Sequence, residues 1–145
     1  MIVRRATIDD LDALLPLLRG YREFYEQAHD AGAERAYLER MLREALSAIF
    51  VAVDGTCVGF AQLFTTYSTT RLKPSLILED LFVVPAARGS GVAAALLDAA
   101  CAYACDIDAA GMFLETAFDN LTAQRVYERN GWTREGRFYK YNAPL

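Results

Sequence analysis

Residues 76–95 constrain the fold more than any other stretch of this 145-residue chain. Their first half is apolar almost throughout and predicts a buried strand. Pro85 ends that strand because proline has no N–H to give to a sheet ladder. A short loop containing Gly89 and Gly91 follows, and the alanine- and leucine-rich run from Val92 predicts a helix. The stretch therefore predicts a strand, a glycine turn and a helix start in direct succession.

This arrangement favours binding of an anion such as a phosphate. The first N–H groups of a helix have no internal partner and carry partial positive charge. Gly89 and Gly91 lack a Cβ and let a ligand approach the backbone, while Arg88 adds a permanent positive charge. A nucleotide P-loop is excluded because the chain has no Gly-Lys pair. A dinucleotide fingerprint fits locally with Ala94 in third place, but too little chain follows for the repeats of that fold.

The remaining sequence predicts one domain, residues 1–145, of the α/β class. The predicted strands cover residues 2–6, 49–53, 58–66, 76–84, 112–117 and 138–141. The predicted helices cover residues 9–28, 34–48, 92–106 and 120–130, of which the last is capped by Asp119 or Asn120 and ended by Gly131. Strands and helices mixed in this order predict a mixed sheet with helices on both faces.

Composition and charge argue against several classes of protein. The formal net charge of −4 argues against binding to nucleic acid, which requires clustered lysine and arginine. No apolar run is long enough for a membrane span, and the first residues do not resemble a signal peptide. Three cysteines make an odd count without metal-ligand spacing. We therefore expect a cytoplasmic protein with reduced cysteines and no metal.

A second motif follows the predicted strand at residues 112–117. It begins at Asn120, at a predicted helix start, and places Ala123 and Tyr127 four residues apart on one helical face. It reads N-x-x-A-x-x-x-Y-x-x-x-G-W, and the loop from Arg88 reads R-x-x-G-x-A. With this spacing, the two motifs resemble the signatures of the GNAT family, the GCN5-related N-acetyltransferases. The order of predicted elements is also that of the family.

The resemblance implies a mostly antiparallel sheet whose central strands splay apart to admit acetyl-CoA. It also implies transfer of an acetyl group to an amine, and homodimers are common in the family. Tyr127 matches the family tyrosine that gives a proton to the leaving thiolate. The residues that the resemblance places at acetyl-CoA are Leu81, Phe82, Val83, Arg88, Gly89, Ser90, Gly91, Val92, Ala93, Ala94 and Asn120.

Two neighbouring carboxylates, Glu79 and Asp80, lie within the predicted strand at residues 76–84. The run Leu78-Glu79-Asp80 resembles that of polyamine-type members, and we expect Glu79 to be the general base, acting through water. Asp80 faces the other side of the strand and is expected to hold a cationic acceptor. Glu115 is an alternative carboxylate. Two other functions stay open: a non-catalytic acyl-CoA-binding domain, and acetylation of aminoacyl-tRNA, which the acidic charge disfavours.

Overall fold

The computed structural model describes residues 1–145, which form two compact units, Met1–Glu115 and Thr116–Leu145. The strands of the first unit are β1 (Ile2–Arg5), β2 (Ala48–Asp54), β3 (Thr56–Ser68), β4 (Lys73–Val83) and β5 (Met112–Phe113). Its helices are α1 (Leu11–Phe24), α2 (Ala31–Arg43) and α3 (Val92–Asp106), and the second unit contains α4 (Leu121–Arg129).

The five strands form one sheet in the order β1-β2-β3-β4-β5. The first four strands pair antiparallel, whereas β5 pairs parallel with β4, and only at Leu76↔Met112 and Ile77↔Phe113. Gly55 turns the chain between β2 and β3 with φ of +72°, a left-handed conformation that glycine adopts without strain. The predicted mixed, mostly antiparallel sheet is confirmed.

Helices cover both faces of this sheet, as predicted. Side chains of α1 and α2 form one buried cluster with Phe60 and Phe82 of the sheet. On the other face, a Cβ added to Gly59 of β3 would meet Val92 and Leu96 of α3 at 3.0 and 3.2 Å. The glycine therefore lets α3 lie close against the strand. No helix combines the length and apolar character needed to cross a membrane.

A buried carboxylate ties α1 to α2. Glu34 is 4% exposed, and Arg22 Nη1 and His29 Nδ1 lie 2.8 Å from its two oxygens. Burial raises the pKa of Glu34, but the hydrogen bonds and charges of Arg22 and His29 outweigh it and leave the pKa below its usual value. The cluster fixes the path of the connection between the two helices.

Several predicted elements differ in the structure. Helix α2 covers Ala31–Arg43 where residues 34–48 were predicted, because the chain adopts a left-handed conformation at Ala45, with φ of 49°. Helix α1 ends at Phe24, not near residue 28, because the chain turns into a left-handed conformation at Glu26, with φ of 58°. Strand β5 covers two residues where six were predicted, since β4 stops pairing with it after Ile77. The predicted strand at residues 138–141 is absent, because the second unit contains no strand with which it could pair.

Candidate active site

Strand β4 has an unpaired edge beyond Ile77, which we call the open edge: the side of residues 78–83 that faces away from β3. The Val84 N–H donates to the Val58 carbonyl at 2.9 Å, so by strand alternation Phe82 also directs its N–H toward β3. Leu81 and Val83 then direct their backbone groups to the open edge. Apart from the Val83 carbonyl, which accepts a hydrogen bond from Arg88 Nε, these groups have no strand partner, so an extended ligand can add its own amide groups there.

An extra residue interrupts β4 at the start of this edge. Gln62 pairs with Asp80 and Leu63 pairs with Leu78, so Glu79 has no partner on β3. Such a bulge bends the strand and redirects neighbouring side chains. The Glu79 carboxylate is exposed, whereas the Asp80 side chain points into the face that α1 and α2 cover. The two neighbouring carboxylates therefore have different surroundings, as expected from the sequence.

The open edge leads directly into the glycine loop. Gly89 and Gly91 have φ of +77° and +86°, and a Cβ added to either would meet no atom within 4 Å. The first helical hydrogen bond of α3 runs from the Ala95 N–H to the Gly91 carbonyl at 3.0 Å. The N–H groups of Val92, Ala93 and Ala94 therefore have no helical partner. The open space, the free donors and the helix dipole together fit a phosphate group.

Arg88 joins the loop to the end of β4. Its Nε donates to the Val83 carbonyl at 3.0 Å, and its guanidinium carbon lies 5.8 Å from the centre of the Phe82 ring. Ser90 Oγ donates to the Ala87 carbonyl at 2.5 Å, which closes the turn before Gly91. These contacts hold the loop in place through side chains and leave the backbone N–H groups of the helix start available.

Asp80 lies in a half-buried polar cluster beneath α1 and α2. Gln62 Nε2 donates to Asp80 Oδ2 at 2.5 Å, and Ser47 Oγ donates to Gln62 Oε1 at 2.7 Å. Gln62 and Ser47 are 3% and 8% exposed. Burial raises the pKa of Asp80 above its usual range, opposed by hydrogen bonds from Gln62 and the Tyr21 hydroxyl. The groups that act on this carboxylate are therefore neutral donors.

Two tyrosines complete the surroundings of Asp80. Burial and the Asp80 charge raise the pKa of Tyr21, whose hydroxyl also lies 3.4 Å from the Glu79 carbonyl oxygen. Burial and the Asp80 charge likewise raise the pKa of Tyr37, which forms a hydrogen bond with Gln62. The Tyr21 ring packs edge-on against Phe82, with centroids 6.2 Å apart. Both hydroxyls are therefore protonated at neutral pH and act as neutral dipoles beside the carboxylate.

The second unit contains the other predicted site residues. Asn120 caps α4, since its side chain accepts a hydrogen bond from the Ala123 N–H at 3.2 Å. Tyr127 lies on α4, and its ring centroid is 6.1 Å from that of Trp132. Gly131 has φ of +86° and ends the helix, as predicted. The Trp132 N–H donates to the Tyr127 carbonyl at 3.1 Å, which fixes the tryptophan against the last helical turn.

The site contains residues that the sequence analysis did not select. Gln62 on β3 bonds Asp80, Tyr37 on α2 lies close to it, and Ser47 before β2 bonds Gln62, so no local motif unites these residues. One signal was available: Gln62 is the only polar side chain among the first seven residues of the predicted strand 58–66, and a polar residue in an apolar run needs a buried partner. No group of three or more histidine, cysteine, aspartate or glutamate side chains lies together as a metal site.

Comparison with known proteins places this geometry in a family. Residues 14–132 match the Acetyltransferase (GNAT) family. The chain is 40% identical to the uncharacterized N-acetyltransferase YhfO of Bacillus subtilis (strain 168) over 97% of its length and 95% of that protein. It is 28% identical to an aminoglycoside N(6')-acetyltransferase type 1 of Salmonella typhimurium, covering 85% of this chain and 88% of that protein.

A solved structure shares the fold over the whole chain. The crystal structure of "a probable acetyltransferase" superposes with a TM-score of 0.95 at 36% identity, covering 100% of this chain and 98% of that one. The splayed sheet, the glycine loop at the start of α3 and the match over residues 14–132 agree with one another. The chain therefore belongs to the GNAT family and is an acetyl-CoA-dependent N-acetyltransferase.

Proposed function

We propose that this chain transfers the acetyl group of acetyl-CoA to a primary amine of a small molecule or protein by direct attack on the thioester. The observation that supports the proposal best is the continuity of the open edge of β4 with the glycine loop and the α3 start. An extended amide-containing arm fits the edge, and a pyrophosphate fits the free N–H groups. Acetyl-CoA carries both groups in that order.

The proposed binding residues follow this order along the chain. We assign the pantetheine arm to Leu81, Phe82 and Val83, with backbone hydrogen bonds from Leu81 and Val83, because the Phe82 backbone faces β3. Asn120 contacts the arm near its middle. The residues proposed to bind the pyrophosphate are Arg88, Gly89, Ser90, Gly91, Val92, Ala93 and Ala94.

The chemistry requires two proton transfers. A primary amine has a pKa of about 10 and must lose a proton before it attacks. We assign this step to Glu79, whose exposed position at the bulge allows it to accept the proton through water. Tyr127 gives a proton to the departing thiolate. Holding the amine and the thioester together supplies much of the acceleration.

Asp80 is assigned to the acceptor. A half-buried carboxylate surrounded by neutral donors attracts a cation, and an amine is a cation until it is deprotonated. An acceptor with several amino groups fits best, because one ammonium can stay at Asp80 while another amine reacts. The named substrate class of the aminoglycoside-acetylating relative is also polycationic. The cytoplasmic location and a homodimer stay predictions.

Release of free thiol from acetyl-CoA with a panel of mono-, di- and polyamines tests the proposal. We expect amine-dependent release that falls at least about a hundredfold in Tyr127→Phe and Glu79→Gln, in the range typical of a lost general acid or base. Exposed residues supply matched controls: Tyr139→Phe and Glu23→Gln should retain the parent rate. Parent-like rates in Glu79→Gln would move the base to another carboxylate, with Glu115 next. Tight acetyl-CoA binding without thiol release for any amine would contradict the proposal.

A further inference from the structure

We propose that Gln62, oriented by Ser47, is a positioning and specificity residue that fixes the Asp80 carboxylate as the binding site for an ammonium group of the acceptor. This inference rests on the proposed function, since a cationic amine acceptor is the ligand it requires. It adds a residue from β3, and the residue that directly precedes β2, to a site otherwise built on β4.

The hydrogen bonds have only one consistent direction. The Ser47 hydroxyl donates to Gln62 Oε1, so the carbonyl end of the amide faces Ser47 and its NH₂ end faces Asp80. The reversed amide would bring its oxygen against a carboxylate oxygen, and two acceptors repel each other. Ser47 thus sets which end of Gln62 meets Asp80. The chain of donors holds Asp80 in the orientation and ionisation state that accepts hydrogen bonds from a ligand.

The other groups around Asp80 do not neutralise its charge. The titratable groups that face it are Tyr21 on α1 and Tyr37 on α2, and neither is positive. Neutral donors orient a carboxylate but leave a half-buried charge without a counter-ion, which is costly. An ammonium group supplies both the charge and three donors, and tyrosine rings attract cations.

The choice of glutamine at this position is what makes the site selective. A lysine or arginine at this position would form a permanent ion pair with Asp80, so that no negative charge would remain for a cationic ligand to neutralise. An apolar residue would leave the carboxylate free to rotate and would favour its neutral form. Of these residue types, only glutamine orients Asp80 and favours its charged form without itself supplying a positive charge. The site then discriminates an amine from an alcohol of the same shape.

Carbon-13 NMR of the full-length chain with labelled aspartate carboxyls tests the inference directly. The Asp80 signal is assigned by its disappearance in Asp80→Asn. The probes are 1,4-diaminobutane, a dication at pH 7, and 1,4-butanediol, its neutral match in size. We expect the diamine, and not the diol, to move the Asp80 signal and to lower its titration midpoint.

Variants then isolate the role of Gln62. We expect Gln62→Met to weaken diamine binding about tenfold and to raise the Asp80 midpoint by about one pH unit, the effect of one hydrogen bond to a charged group. Ser47→Ala should change both quantities in the same direction but less. Gln62→Met alone leaves the buried Ser47 hydroxyl without its acceptor and can destabilise the protein. Combining it with Ser47→Ala removes both partners of that hydrogen bond, so we expect the double variant to fold even if the single variant is unstable. The exposed Gln27→Met is the control and should behave as the parent.

The outcomes separate this inference from the proposed function. Equal diamine affinity in the parent, Gln62→Met and the double variant would overturn the inference. An Asp80 signal that ignores the diamine, in a protein that acetylates amines, would also overturn it and leave the proposed function standing. A diamine response that depends on Gln62, without acetylation of any amine, would support the inference and refute the proposed function. In the acetylation assay, Gln62→Met should raise KM for the amine more than it lowers kcat.

Discussion

Replacing Gly91 with alanine tests the glycine loop with a predictable energetic cost. Gly91 has φ of +86°, and an added Cβ meets no atom within 4 Å, so the cost is conformational and not steric. The left-handed region costs a non-glycine residue about 1–2 kcal/mol. Alanine recovers about 0.4–1 kcal/mol of this, because it has fewer unfolded conformations to lose than glycine. We expect a net loss of about 1 kcal/mol in the free energy of unfolding, measured with urea.

Gly55→Ala is the matched control for this loss. Gly55 has φ of +72° and equally open surroundings, so we expect the same fall in stability. It turns between two strands and presents no free helical N–H groups. The two variants should therefore unfold alike and bind acetyl-CoA differently.

The functional readout is acetyl-CoA affinity by titration calorimetry. The methyl group of Gly91→Ala would point into the space where a phosphate approaches the α3 start, and we expect at least about tenfold weaker binding, or about 1.4 kcal/mol. Gly55→Ala should bind as the parent does. Equal affinities in the two variants would refute the assignment of the pyrophosphate to this loop. Unchanged stability in Gly91→Ala would refute the conformational argument.

Two further predictions concern the helices that cover the site. Gly20→Ala places a Cβ 2.9 Å from Cζ of the buried Phe82. The cost of overpacking, about 1–3 kcal/mol, should exceed the gain in helix propensity of up to about 1 kcal/mol, so we expect urea unfolding to show a lower free energy of unfolding. A clear increase in that free energy would contradict the close packing. Because the pKa of Glu34 is lowered in the folded protein, its ionised side chain stabilises the fold fully above the usual pKa of 4.5. This stabilisation is lost as the pH falls through the lower folded-state pKa. Glu34→Gln should therefore be less stable than the parent at pH 7, with a difference that shrinks toward pH 3; a constant difference would contradict the pairing with Arg22 and His29.

Local signals in the sequence were sufficient to predict the β4–α3 unit. Pro85 ends the strand region, Gly91 precedes the helix, and Asn120 and Gly131 bound α4 as expected, because each acts through its own backbone or a neighbour within four residues. The mixed sheet with helices on both faces followed from the same element order.

Features that depend on pairing between distant segments could not be predicted in this way. The bulge at Glu79 arises from the register of β4 against β3, which no pattern within β4 encodes. The Ser47–Gln62–Asp80 chain joins residues 15 and 18 positions apart. Residues 138–141 contain three aromatic side chains and so have strand propensity, but propensity forms no strand without a partner.

The open edge of β4 also bears on solubility. Unpaired backbone groups on a central strand can recruit a strand from another molecule, which is how many sheets begin to aggregate. Two charges, Glu79 and Asp80, lie at the start of this edge, and Pro85 follows its end. Charged residues and prolines at such positions discourage intermolecular pairing. The acidic pair and the proline beside this edge therefore also protect the protein from intermolecular pairing through its own exposed strand.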